Sequence, residues 1–163
     1  DISVLTRMDE AANMIDMERV DISVLVGNII NEVSLELEEK HISIVDSLKK
    51  GIQIKGNYSL LYSIFRNLMD NAIEACLQSG SQKPFIRLST EFSGECLSIY
   101  LHNTKNPEQI FKHQTTKKES YNPLPSHGFG LSIIEDICQK YDGAYQWLDR
   151  TDYFDSIVLL KFL

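Results

Sequence analysis

The stretch SLLYSIFRNLMDNAIEAC, residues 59–76, decides how the rest of this chain is read. Apolar residues fall at 60, 61, 64, 65, 68, 69, 72, 73 and 76, the 3.6-residue period of a helix with one buried face. Asn67, Asn71 and Glu74 follow the same period on another stripe of that helix. Asparagine is a mediocre helix former, because its amide competes with the backbone for hydrogen bonds. Two asparagines one turn apart in so apolar a helix therefore need a reason other than helix formation.

Working outward, residues 42–47 (ISIVDS) and 51–56 (GIQIKG) alternate in polarity and read as strands ahead of this helix. Upstream of them, Asp21 or Ser23 can cap a helix from about residue 22 to about 40, preceded by a short strand at 17–21. Residues 1–15 follow a helical pattern, and the absence of an initiator methionine suggests a fragment of a longer protein. Downstream, residues 84–92 and 96–103 form a hairpin whose turn contains glycine. Residues 104–127 differ in kind: they hold three of the four prolines and a basic cluster at Lys112, Lys117 and Lys118. A loop of that length in a compact domain is usually functional or disordered. HGFGLS then opens a helix that ends at Gly143, and residues 144–149 and 154–163 close the chain as two strands. The order implies an α/β sandwich: a mixed, mainly antiparallel sheet with helices packed on one face.

Composition narrows the function. At 43% hydrophobic residues over 163, the chain can bury a proper core. A net charge of −7 argues against nucleic acid as the main partner, since phosphate neutralisation needs clustered Lys and Arg. The three cysteines are far apart and odd in number, which fits reduced thiols rather than a disulfide framework. The four histidines form no ligand pair, so a metal bound through nitrogen or sulfur is not expected.

Oxygen ligation is a different matter. Mg²⁺ takes hard oxygen ligands, keeps several waters and commonly bridges protein oxygens to nucleotide phosphates. Side-chain carbonyls at positions i and i+4 offer two such oxygens on one helical face; the bland alternative is that both amides face solvent. Gly128 and Gly130 at a helix start allow a phosphate to approach the backbone amides closely, although a tight turn needs no more than that.

The motifs also share an order. NLMDNAIEA is followed by a strand ending in His102–Asn103, then FKHQTTKK in a long loop, then HGFGLS at a helix start. This resembles the ATP-binding catalytic domain of sensor histidine kinases, in the GHKL superfamily shared with type II topoisomerases and heat-shock chaperones. NLMDNAIEA looks like the family's asparagine box, SIYLHN lies where its first glycine box is found, and HGFGLS looks like the second. The stretch RMDEA…ERVDISVLVGNII is similar to the end of the dimerisation helix and its link to the catalytic domain.

The resemblance implies a GHKL (Bergerat) sandwich over residues 17–163 with a lid at about 104–127, and the end of a dimerisation helix over residues 1–16. It implies ATP and Mg²⁺ as ligands. Asn71 and Asn67 would ligate the ion. Asn103 stands where the family usually has the aspartate that accepts a hydrogen bond from the adenine amino group. Lys117 and Lys118 would reach the phosphates, and His127, Gly128, Phe129, Gly130 and Leu131 would close over them. Ser156 is the candidate for a small polar residue near adenine.

None of the four histidines resembles the phosphoacceptor, so the γ-phosphate would pass to a histidine upstream on the dimerisation domain, and from there to a response regulator. The parent would be a homodimer anchored in a bacterial membrane, with this domain in the cytoplasm. Two features depart from the pattern. The glycines of the first box are missing, with Thr104, Lys105 and Asn106 following Asn103, and Ser126 replaces the first glycine of the second box. A degenerate nucleotide-free regulatory module and a serine/threonine kinase of the anti-sigma-factor type are the alternatives. Hydrolytic superfamily members carry a glutamate one turn before the magnesium asparagine; here that position is Asn67, which suits a kinase.

Overall fold

The computed structural model describes residues 17–109 and 125–161. The expected dimerisation helix over residues 1–16 lies outside them, as do Lys112, Lys117 and Lys118.

Strand β1 (Glu18–Asp21) leads directly into helix α1 (Ile22–Glu39). Asp21 caps that helix: its carboxylate accepts hydrogen bonds from the Val24 N–H at 3.1 Å and the Ser23 hydroxyl at 2.6 Å. These bonds, the one from Ser23 foremost, hold the Asp21 carboxyl below its usual range. Strands β2 (Ser43–Ser47) and β3 (Gln53–Gly56) follow, then helix α2 (Tyr58–Gln78), the asparagine-bearing helix. Strands β4 (Phe85–Ser93) and β5 (Cys96–Thr104) form the expected hairpin. Helix α3 (Pro125–Lys140) and strands β6 (Ala144–Asp149) and β7 (Tyr153–Lys161) complete the described chain.

The five-stranded sheet has the order β2-β4-β5-β7-β6, with β2 parallel to β4 and every other pair antiparallel. Although β2 and β3 are neighbours in sequence, they part company: β3 pairs with β1 in a separate antiparallel ribbon. Helices cover one face of the large sheet. Ile29 and Val33 of α1, Leu61, Ile64 and Leu68 of α2, and Ile134 and Ile137 of α3 bury against Ile86, Leu88, Ile99, Leu101 and Val158 of the sheet. The expected sandwich is therefore what forms. Among the described residues no helix is long and apolar enough to cross a membrane.

Helix α3 shifts one expectation. It begins at Pro125, two residues before the expected opening at His127, so His127, Gly128, Phe129 and Gly130 all lie inside its first turns. Proline suits the first helical position because its missing N–H would have had no partner there. At the described ends of the expected 104–127 lid, Thr104 is the last residue of β5, the Lys105 N–H is bonded to the Asp152 carbonyl at 2.9 Å, and residues 125–127 are helical.

The two ends of α3 and α2 are joined. At the C-terminal end of α3, the Tyr141 hydroxyl accepts a hydrogen bond from the Asn57 N–H at 2.8 Å, and Asn57 is the N-cap of α2. Just beyond, Gly143 passes so close to β7 that a Cβ there would stand 1.9 Å from the Leu159 carbonyl oxygen.

Candidate nucleotide site

Helix α2 presents three sides. Its core side packs inward through Leu61, Phe65, Leu68 and Ala72. A second side faces α1, where the Tyr62 hydroxyl donates to Glu32 at 2.6 Å and Arg66 pairs with the same carboxylate at 2.9 Å. At 100° per residue, Asn67 and Asn71 fall on the flank away from those contacts. Both are half-buried. The Asn67 Nδ2 donates to the Ser63 carbonyl at 2.6 Å, a bond back along its own helix. That bond fixes the orientation of the amide, leaving Oδ1 as the atom it offers outward. Glu74, on the same stripe, accepts a long bond from Gln78 at 3.5 Å.

The sheet contributes Asn103 and Ser156. Alternation along β5 buries Leu97, Ile99, Leu101 and Asn103 on the helix-facing side. Asn103 is 2% exposed and pairs across the ladder with Ile86 and Phe154. Its Nδ2 donates to the Thr104 carbonyl at 3.0 Å, so here too the oxygen is the free end of the amide. Ser156, opposite Leu101 on β7, is also buried, and its hydroxyl lies 3.3 Å from the Tyr145 hydroxyl. Asn103 and Ser156 are thus near neighbours on one face of adjacent strands, and α2 packs on β5 and on α3.

The backbone of His127, Gly128, Phe129, Gly130 and Leu131 is helical. The amides of Ser126 and His127 belong to the first turn, whose donors have no partner within the helix, whereas that of Gly128 begins the i→i−4 ladder. Those of Phe129 and Gly130 fall where the i→i−4 ladder has begun. Asn67 and Asn71 thus lie on α2, Asn103 on β5, Ser156 on β7 and the HGFGL stretch on α3; Lys117 and Lys118 lie outside the described residues.

Three features escaped the sequence reading. Tyr145 sits on the helix-facing side of β6 with its hydroxyl against Ser156, and burial pushes its phenol up to about 12 despite that hydrogen bond. It therefore stays a neutral donor. The alternation of AYQWLD places Tyr145 and Trp147 on one side, and that signal was available in the sequence. The second feature is a part-buried ion pair, Lys105 Nζ to Asp149 Oδ1 at 2.8 Å. No sequence signal links residues 44 apart. The third lies on the open face of the sheet behind Asn103. There His102 is hydrogen-bonded to Asp155 and stacks on Tyr153 with ring centroids 4.9 Å apart, while Arg150 holds the other Asp155 oxygen.

The comparisons agree with this architecture. The sequence profile of the GHKL domain matches residues 57–161, from the cap of α2 to the end of β7. The sensor protein DltS of Streptococcus agalactiae serotype V is 23% identical over 155 residues, 92% of this chain and 39% of DltS. The heme sensor protein HssS of Staphylococcus epidermidis is 22% identical over 146 residues, 88% of this chain and 31% of HssS. The chain thus spans less than two-fifths of the length of these relatives.

Among solved structures, the catalytic domain of histidine kinase ThkA superposes with a TM-score of 0.73 at 16% identity, over 90% of this chain and 96% of that one. Histidine kinase AdeS of Acinetobacter baumannii gives 0.73 at 14% identity, over 99% and 75%. Full-length ShkA in complex with AMPPNP gives 0.69 at 17% identity, over 88% and 30%. At such identities the structural likeness speaks for fold, and the profile match over most of the chain speaks for kinship. The chain belongs to the GHKL family, with the fold of a histidine kinase's ATP-binding catalytic domain.

Proposed function

We propose that this domain binds ATP with Mg²⁺ and serves as the catalytic part of a sensor histidine kinase. One observation carries the reading: Asn67 and Asn103 each tie their NH₂ group back to a backbone carbonyl, so both amides offer oxygen. A neutral oxygen on the flank of α2 suits a hard cation, and Asn71, one turn on, supplies a second. At Asn103 the same polarity suits a donor, and the exocyclic amino group of adenine is one. Ser156, held by the neutral Tyr145 phenol, lies beside it and can bind the base directly or through water.

When bound, Mg²⁺ neutralises charge on the triphosphate. The chain's own residues bind and orient. Lys117 and Lys118 reach the phosphates, and the first turn of α3, with His127 to Leu131, meets them at the positive end of a helix. None of these residues is assigned nucleophilic attack on phosphorus, and catalysis rests on positioning and electrostatics. In the transfer, the bond between the γ-phosphorus and the β–γ bridging oxygen breaks and a phosphorus–nitrogen bond forms to the acceptor imidazole, with ADP leaving. The acceptor is a histidine on a dimerisation domain of the same protein, and the next acceptor is an aspartate of a response regulator. The parent protein works as a homodimer, anchored in the membrane with this domain in the cytoplasm, as befits a relative of sensor proteins.

Calorimetry with Mg-ATP tests the core of this reading. The wild-type chain binds, and Asn71→Ala loses most of the affinity. No heat from the wild type, or binding unchanged in Asn71→Ala, sinks it.

A further inference from the structure

We infer that the turn between β6 and β7 sets nucleobase selectivity from a distance, through Lys105 and Asp149, which act as positioning residues for Asn103. The inference rests on the nucleotide reading of the site and concerns how that site tells adenine from guanine.

An asparagine is an ambiguous reader. With Oδ1 forward it accepts from the amino group of adenine; rotated by half a turn, it presents Nδ2 and can donate to the O6 of guanine. An aspartate has no such second face. What decides the orientation of Asn103 is the Thr104 carbonyl, which takes the Nδ2 hydrogen at 3.0 Å. The position of that carbonyl is in turn fixed from both sides. Toward β4, the Phe85 N–H donates to the Thr104 hydroxyl oxygen at 3.0 Å. Toward the β6–β7 turn, the Lys105 N–H, on the same peptide unit as the Thr104 carbonyl, donates to the Asp152 carbonyl at 2.9 Å.

The Lys105 side chain, 7% exposed, then reaches Asp149 Oδ1 at 2.8 Å. The same Asp149 oxygen accepts the Thr151 N–H at 3.2 Å. Thr151 has a φ of 73°, a conformation a β-branched residue adopts only under constraint. One carboxylate oxygen therefore holds both the strained turn and the residue that follows the Thr104 carbonyl. A glycine at position 105 could make only the backbone bond. The ion pair adds the second tether, and with both in place the Asn103 amide keeps its oxygen toward the base.

The test compares three ligands by calorimetry: Mg-ATP, Mg-GTP and Mg-tripolyphosphate, the last reporting on the phosphate end alone. The variants are Lys105→Met, the double variant Lys105→Met/Asp149→Leu, and Lys105→Arg. The double variant leaves the net charge unchanged and no lone buried charge behind, which guards against simple unfolding. The wild type prefers ATP to GTP. In Lys105→Met and the double variant that preference falls about fivefold or more, the scale of one hydrogen bond, while tripolyphosphate affinity holds within about twofold. Lys105→Arg keeps the pair and keeps the wild-type preference. An unchanged preference in the double variant at retained thermal stability overturns the inference, as does a parallel loss of all three ligands. A wild type that binds none of the three overturns the nucleotide reading itself, a different and recognisable failure.

Discussion

Asn67 stands one turn before Asn71, where the hydrolytic branch of the superfamily has a glutamate. A neutral amide is too weak a base to take a proton from water, so on the proposed reading Asn67 spares bound ATP. Asn67→Glu supplies the missing base. It is expected to raise acceptor-free phosphate release by about tenfold or more, at the lower edge of what general bases contribute. A phosphate-release assay reads the change directly. The cysteines allow a second measurement at the same scale. Burial pushes the Cys76 thiol up to about 11 and the Cys138 thiol up to about 12, whereas Cys96 is exposed. The thiolate is the reactive form, so at pH 8 a disulfide reagent should label one thiol in the folded chain and three after denaturation.

At the scale of elements, the sequence was informative about what each segment is and silent about what it pairs with. The period of residues 59–76 announced α2, and alternation announced both strands upstream of it. Yet β2 joins the large sheet parallel to β4 while β3 turns back to β1, because alternation records which face is buried and carries no label for the neighbour. The same limit applies to the site. Asn67, Asn71, Asn103 and the α3 stretch were legible because they sit in short local motifs. Tyr145 against Ser156 and Lys105 against Asp149 are contacts across the sheet that only the strand register creates. The start of α3 was misjudged for a local reason: Pro125 reads as a loop residue unless its fitness for the first helical position is weighed. Two substitutions probe how α3 is seated. Gly143→Ala drives a methyl group into the Leu159 carbonyl and should cost roughly 3 kcal/mol or more. Tyr141→Phe strands the buried Asn57 N–H and should cost about 1–3 kcal/mol, measured by denaturant unfolding.

For the whole molecule, the titrating groups of the interior point the same way. Cys76, Cys138 and Tyr145 all have folded-state values raised by burial, to about 11, about 12 and about 12. As pH climbs, the unfolded chain gives up these protons first and so binds fewer than the folded one. Stability is therefore intact below about pH 9 and declines as pH rises toward about 12. Urea unfolding at intervals from pH 8 to about 11 should show the decline, and Cys138→Ala should flatten it, whatever its offset at pH 8.

The seating of α3 has a dynamic consequence. Around Tyr141 and Gly143 the chain is fastened by the phenol bond to the cap of α2, by the Lys161 N–H on the Tyr141 carbonyl, and by contact with the β7 backbone that leaves no room for a methyl group. A rod clamped at one end pivots there, and its travel grows with distance from the clamp. Amide hydrogen exchange along α3 should therefore be graded, slowest from Ile137 to Tyr141 and faster toward His127. Adding Mg-ATP should slow the fast end and leave the clamped end as it was.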